Sequence, residues 1–179
     1  MRLVWPDLAR GVAVLSMLIA HVAPGGGVPV LSEFLTAALF ACLVFVSLAL
    51  SWFNRKVSFG RWAIIQGLRG VILVVVGELL QPLYAQIVVV LQALGLLTVV
   101  GAVLIPLVAK RPRVALGLAL VLSVASPAIM DGARSVPVSS PFLAWWIDLL
   151  FTGTSYRLST FLVFGLVGLA LLGLIRSNA

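Results

Sequence analysis

Long apolar runs, each near the length that crosses a bilayer as a helix, dominate this chain, and short basic, glycine or proline punctuation separates them. A spanning helix takes ~20 apolar residues, whereas barrel strands would alternate with period two. The runs here are continuous, so they read as helices near Leu8 to Ala23, Phe34 to Phe53, Trp62 to Leu80, Ile87 to Ala109, Val114 to Met130 and Leu158 to Ile175. The expected fold is an all-α, polytopic transmembrane helical bundle of six spans. Composition closes off the soluble alternative. Of 179 residues, 63% are hydrophobic and 9% charged, against about 25% charged in an ordinary soluble domain, and no soluble core of this length hides that much apolar side chain.

The connections carry the breakers: Pro24 with Gly25 to Gly27, then Pro82, then Pro112. The longest connection runs from Asp131 to Arg157. Within it, Phe142 to Phe151 is too short to span, and Trp145 and Trp146 suit a headgroup region, so a surface-lying or re-entrant piece is expected. With the N-terminus cytoplasmic, Arg2, Arg10, Arg55, Lys56, Arg61, Lys110, Arg111, Arg113 and Arg176 fall inside and only Arg134 and Arg157 outside. This bias sets both ends in the cytoplasm. The net charge of +7 is thereby a topology signal, not the basic stripe of a nucleic-acid binder. Cys42, the single cysteine, lies inside an apolar run and reads as packing, with no disulfide or thiolate metal site possible within the chain. The first run is not a removable leader: Asp7 sits in its n-region and no small-x-small site follows. No repeat or charged linker divides residues 1–179, which read as one transmembrane domain.

Ionisable groups at membrane depth cost about 2.5–3.5 kcal/mol at a helix centre, so each is a functional candidate. At 100° per residue, Asp7, Arg10 and His21 share one face of the first helix, with Arg10 and His21 about 16 Å apart along its axis. Such a helix has a basic anchor near one boundary and a titratable imidazole near the other. The plainer reading is that Asp7 pairs with Arg10, that Arg10 is a topology anchor and that His21 is a headgroup-level residue. Arg69 and Glu78, nine residues apart on the third helix, fall on opposite faces, so each wants a partner elsewhere, and Arg69 is expected toward the bundle interior or a water-filled cavity. Gln92, Gln81 and Gln86 read as interhelical hydrogen-bonding residues, and Gly95, Gly101, Gly165, Gly168 and Gly173 as points of close helix approach. No Walker loop, zinc-binding His-Glu-x-x-His, nucleophile elbow, paired carboxylate or aromatic cage is visible, and no metal is expected.

The opening segment, with Asp7, Arg10-Gly11 and His21 one helix length later, resembles the first helix of membrane-bound acyltransferases, and looks most like bacterial relatives of heparan-alpha-glucosaminide N-acetyltransferase. The resemblance continues through Leu39–Leu50, Arg69-Gly70 to Gly77, Val90 to Leu96, and Leu149 to Phe161 with the glycine-rich helix that follows. It thus runs the whole length. Members of that family have about ten or eleven helices, so the resemblance implies that residues 1–179 correspond to the N-terminal portion of a larger fold.

What the resemblance implies is acyl transfer across a bacterial plasma membrane. A cytoplasmic acyl-CoA, acetyl-CoA in the closest branch, would give its acyl group to a sugar, lipid or glycan on the far side. His21 would act as general base or acyl carrier. Arg10 and Arg69 would bind donor phosphates, with Asp7, Glu78 and Gln92 in support and Tyr156 and Arg157 placing the acceptor. The partners implied are membrane lipids, acyl-CoA and that acceptor, without nucleic acid; self-association stays open. Two other readings remain beside it: a transporter or permease subunit that uses Arg69, Glu78 and His21 as a path, and a non-catalytic, truncated membrane protein.

Overall fold

A computed structural model describes residues 8, 9, 11–16, 28–80, 86–153 and 157–177, with side chains left aside at 28–34, 86–89 and 177. The described part is an all-α bundle. Its helices are α1 (Val28–Phe53), α2 (Phe59–Leu80), α3 (Gln86–Val108), α4 (Pro112–Arg134), the short α5 (Pro141–Ile147) running into a π-helical turn (Asp148–Thr152), and α6 (Leu158–Ser177). Residues 8, 9 and 11–16 are also helical; the rest of the first expected span, through Ala23, lies outside the described residues. Five helices among those described are long and apolar enough to cross a membrane, one each in α1, α2, α3, α4 and α6. In hydrocarbon every backbone N–H and C=O must be satisfied within its own segment, which is why uninterrupted apolar runs resolve as helices.

The middle of the bundle is made by α1, α3 and α6. Phe45, Leu97, Ile105, Leu166, Leu169 and Leu172, all from these three, are the largest fully buried side chains. Around them α2 packs on α3, and α4 packs on α6. These two flanking helices are the least buried of the five, and their outer faces expose Ile64, Leu68 and Leu79 on α2 and Leu120, Val121 and Val124 on α4. Such faces suit lipid rather than water.

Glycines set the spacing between helices. A Cβ built on Gly101 would stand 2.7 Å from Leu48 Cδ1, and one on Gly168 would stand 2.9 Å from Cys42 Cα. Gly165 meets the Phe45 ring and Gly173 meets Pro112 in the same way. Cys42 is part of this packing, with its Sγ donating to the Phe164 carbonyl at 3.0 Å.

Helix ends differ from the apolar runs where polar residues continue the helix. The run in α4 ends at Met130, yet the helix continues through Arg134. Apolarity marks where hydrocarbon stops, whereas backbone hydrogen bonding marks where the helix stops. Pro112 sits in the first turn of α4, where its missing N–H costs nothing. The connection after α4, where a piece too short to span is expected, folds as a short apolar helix, Pro141–Thr152.

Alternation of the helices collects charge at the two ends. The turn from α1 to α2 carries Arg55 and Lys56, with Arg61 following; the turn from α3 to α4 carries Lys110 and Arg111, with Arg113 following. Arg176 joins them, its guanidinium 4.2 Å from the Phe53 ring centroid. This is the basic end. Glu78, Asp131, Arg134, Asp148 and Arg157 lie toward the opposite end, where Arg157 Nη1 donates to Met130 Sδ at 2.9 Å.

Candidate functional site

Near the basic end a hydrogen-bonded chain ties α1 to α2. Trp62 Nε1 donates to Ser51 Oγ at 3.0 Å, Gln66 Nε2 donates to the same oxygen at 3.3 Å, and Arg69 Nη1 donates to Gln66 Oε1 at 3.3 Å. Trp62 and Gln66 are buried, at 3% and 5% exposure, so their donors depend on that one hydroxyl. Trp52 closes the cluster, edge-on to Trp62 at 5.1 Å, with the Arg55 guanidinium 3.2 Å from its ring centroid. Arg69 itself is exposed on the flank of α2, held by Gln66 and not turned into the interior. Its position one turn beyond Gln66 accounts for this: the buried stripe of α2 is Trp62, Gln66, Gly70 and Gly77, and Arg69 falls about 60° from Gln66 around the axis.

A groove of about 480 Å³ opens between α4 and α6 on the basic side. Arg113 stands at its α4 start, and Leu116, Leu120, Val163 and Val167 supply apolar walls beside Gly117. A Cβ at Gly117 would meet nothing within 4 Å. Chemically the groove offers a cation at one end and an open apolar trough behind it.

At the opposite end, Gln92 Nε2 donates to Glu78 Oε1 at 3.0 Å, joining α3 to α2. Gln92 is 3% exposed, whereas Glu78 is partly exposed and lines a cleft of about 340 Å³ with Val74, Phe142, Trp145 and Trp146. Trp145 and Trp146 meet at 4.8 Å and 82°, and Phe142 meets Trp146 at 6.2 Å and 78°.

Of the residues singled out in the sequence, Asp7, Arg10, His21 and Tyr156 lie outside the described residues, as do Gln81 and the side chain of Gln86. Glu78 and Gln92 are brought together as partners; Arg69 and Arg157 stay apart from them and from each other. Three features escaped the sequence reading. Arg113 looked like one topology charge among many, Ser51 and Trp62 match no catalytic pattern, and the cleft brings Glu78 to an aromatic wall more than sixty residues away in the chain. The only linear hint was Phe142, Trp145 and Trp146 at helical spacing.

By fold, this is a polytopic α-helical membrane protein. Compared with protein-family models, curated proteins and solved structures, the chain finds no match.

Proposed function

We propose that this protein is acyltransferase-like, working in a bacterial plasma membrane with its basic end in the cytoplasm and using acyl-CoA as donor toward a sugar, lipid or glycan acceptor on the far side. The observation that carries this reading is the groove between α4 and α6, whose Arg113 end suits phosphate and whose Leu116, Leu120 and Val163 walls suit an acyl chain. Lys110 and Arg111 adjoin it in the preceding turn, adding positive charge for the nucleotide phosphates. The resemblance of the opening segment supplies the chemistry: His21 takes the acceptor proton as general base, and Arg10 assists the donor. Arg69 is not in this groove, so a donor role for it rests on the resemblance alone.

The test is transfer of a labelled acetyl group from acetyl-CoA in reconstituted vesicles, with donor binding measured separately. Gly117→Leu plugs the groove at a position with open space around it, and it abolishes binding of long-chain acyl-CoA while the protein still folds. His21→Ala leaves donor binding intact and removes transfer. Unchanged long-chain acyl-CoA binding in Gly117→Leu sinks the groove assignment, and wild-type turnover in His21→Ala removes that residue from the mechanism. A transporter is the second reading, favoured by a carboxylate opening into a cleft at Glu78. Failure of any acyl-CoA to bind the wild-type protein, together with uptake that needs Glu78, decides for it.

A further inference from the structure

The cleft at the end away from the basic cluster combines a carboxylate with aromatic walls. Its lining is Glu78 and Val74 from α2, and Phe142, Trp145 and Trp146 from α5. Glu78 Oε1 accepts from Gln92 at 3.0 Å, which fixes the carboxylate on the α2–α3 pair, and its second oxygen has no protein donor among the described residues. Edge-to-face contacts at 82° and 78° set the rings of this wall at steep angles to one another. The negative face of an indole or phenyl ring attracts a cation within about 6 Å, most strongly when water is excluded. A carboxylate beside such rings suits a cation that is large, weakly hydrated and covered in alkyl groups. A small metal ion would want several oxygen ligands instead.

We infer that this cleft is a binding site for an organic ammonium cation, with Glu78 supplying the countercharge and Trp145, Trp146 and Phe142 the aromatic walls. A volume of about 340 Å³ lies at the small end of the range for small-molecule sites and admits a trimethylammonium group with a short substituent. The shared chemistry is the alkylated ammonium; its source is either a free solute or the headgroup of a choline lipid. This site is at the other end of the bundle from the α4–α6 groove and stands whether or not acyl-CoA binds there.

The experiment is calorimetric titration of choline into the full chain held in phosphatidylglycerol nanodiscs, with the uncharged isostere that has carbon in place of the quaternary nitrogen as control. Choline binds, and the isostere binds at least about tenfold more weakly, a difference worth about 1.4 kcal/mol. Glu78→Gln keeps an acceptor for Gln92 while removing the charge, and it lowers choline affinity about tenfold or more. Trp146→Leu, which loses ring contacts to both Trp145 and Phe142, does the same. Repeating the wild-type titration in phosphatidylcholine nanodiscs identifies the source: competition assigns the site to the lipid headgroup, and undiminished binding assigns it to a free solute, each with the ammonium site intact. Absence of choline binding in phosphatidylglycerol, equal binding of the isostere, or wild-type affinity in Glu78→Gln overturns the proposal and returns Trp145 and Trp146 to a purely interfacial role.

Discussion

Gly70 of α2 and Gly95 of α3 meet backbone to backbone: a Cβ on either would stand 2.6 Å from the carbonyl oxygen of the other. Next come the Val99 Cγ2 methyl at 2.7 Å from the first and the Val74 Cγ2 methyl at 2.8 Å from the second, and behind them further backbone, Val99 N at 3.0 Å and Val74 N at 2.9 Å. Backbone atoms cannot swing aside as a side-chain end can. Gly70→Ala and Gly95→Ala therefore force the two helices apart, at a cost of about 1–3 kcal/mol by analogy with overpacked cores. Gly67→Ala on the same helix meets nothing within 4 Å and stabilises slightly, because alanine is the better helix former. Thermal unfolding in detergent checks this. Equal melting temperatures for Gly95→Ala and Gly67→Ala would show that the α2–α3 seam is loose.

The seam also matters for the far end, because it sets the register in which Glu78 meets Gln92. The sum of the paired positions stays nearly constant along the two antiparallel helices, from Gly70 with Val99 to Glu78 with Gln92. A wedge at Gly95 thus disturbs the cleft as well as the seam.

Ser51 is the shared acceptor of two buried donors, Trp62 Nε1 and Gln66 Nε2. Removing an acceptor strands donors that water cannot reach, whereas removing a donor leaves the acceptor its other partner. Ser51→Ala is expected to cost about 1–3 kcal/mol, and Trp62→Phe, which leaves Gln66 on Ser51, less through this network. Chemical denaturation of the two variants and their double mutant gives the order. A larger network loss in Trp62→Phe than in Ser51→Ala, after correction for ring packing, contradicts the assignment of Ser51 as hub.

Orientation is tested by accessibility. In a Cys42→Ala background, single cysteines at Arg55 and Arg134 lie at opposite ends of the bundle. By the positive-inside rule, Arg55 is expected in the cytoplasm and Arg134 outside. A membrane-impermeant maleimide added to intact cells labels position 134 and leaves position 55 unlabelled until the membrane is opened. Labelling of both positions from outside defeats the alternating arrangement.

The five described spanning helices were legible in the sequence because lipid imposes a length and a polarity that single residues cannot evade. Gly95, Gly101, Gly165, Gly168 and Gly173 were legible as contact points for the same reason: without a hydrophobic force between helices, small residues are what let them approach. Which glycine faces which was not, because Gly70 and Gly95 pair only once α2 and α3 have a crossing point. Arg69 shows the limit of assigning each intramembrane charge to the interior. Nearly three turns from the basic end of α2, it finds a partner in Gln66 on its own helix and stays on the flank. The groove and the cleft were illegible because each is a gap between segments distant in sequence. Arg113 and Glu78 stood out by charge, but nothing linear shows that one opens onto Val163 and the other onto Trp146.

Glu78 and Gln92 form an unequal pair, and the inequality can be measured. Gln92 is 3% exposed, so its amide has little access to water if Glu78 is replaced by an apolar residue. Glu78 lines an open cleft, so its carboxylate can be hydrated if Gln92 is lost. Leaving a buried polar group unsatisfied costs about 1–3 kcal/mol, more than the roughly 1 kcal/mol net value of an ordinary hydrogen bond. The expected order of destabilisation is Glu78→Leu, then Gln92→Leu, then Glu78→Gln, which keeps an acceptor at the same place. Unfolding midpoints of the three variants, with the Glu78→Leu/Gln92→Leu double mutant to complete the cycle, read this directly. The double mutant is expected to be more stable than Glu78→Leu alone, because removing the stranded amide relieves its penalty. If Gln92→Leu proves the more damaging single change, then Glu78 is the shielded partner, and the cleft beside it is closed to water and to any cation.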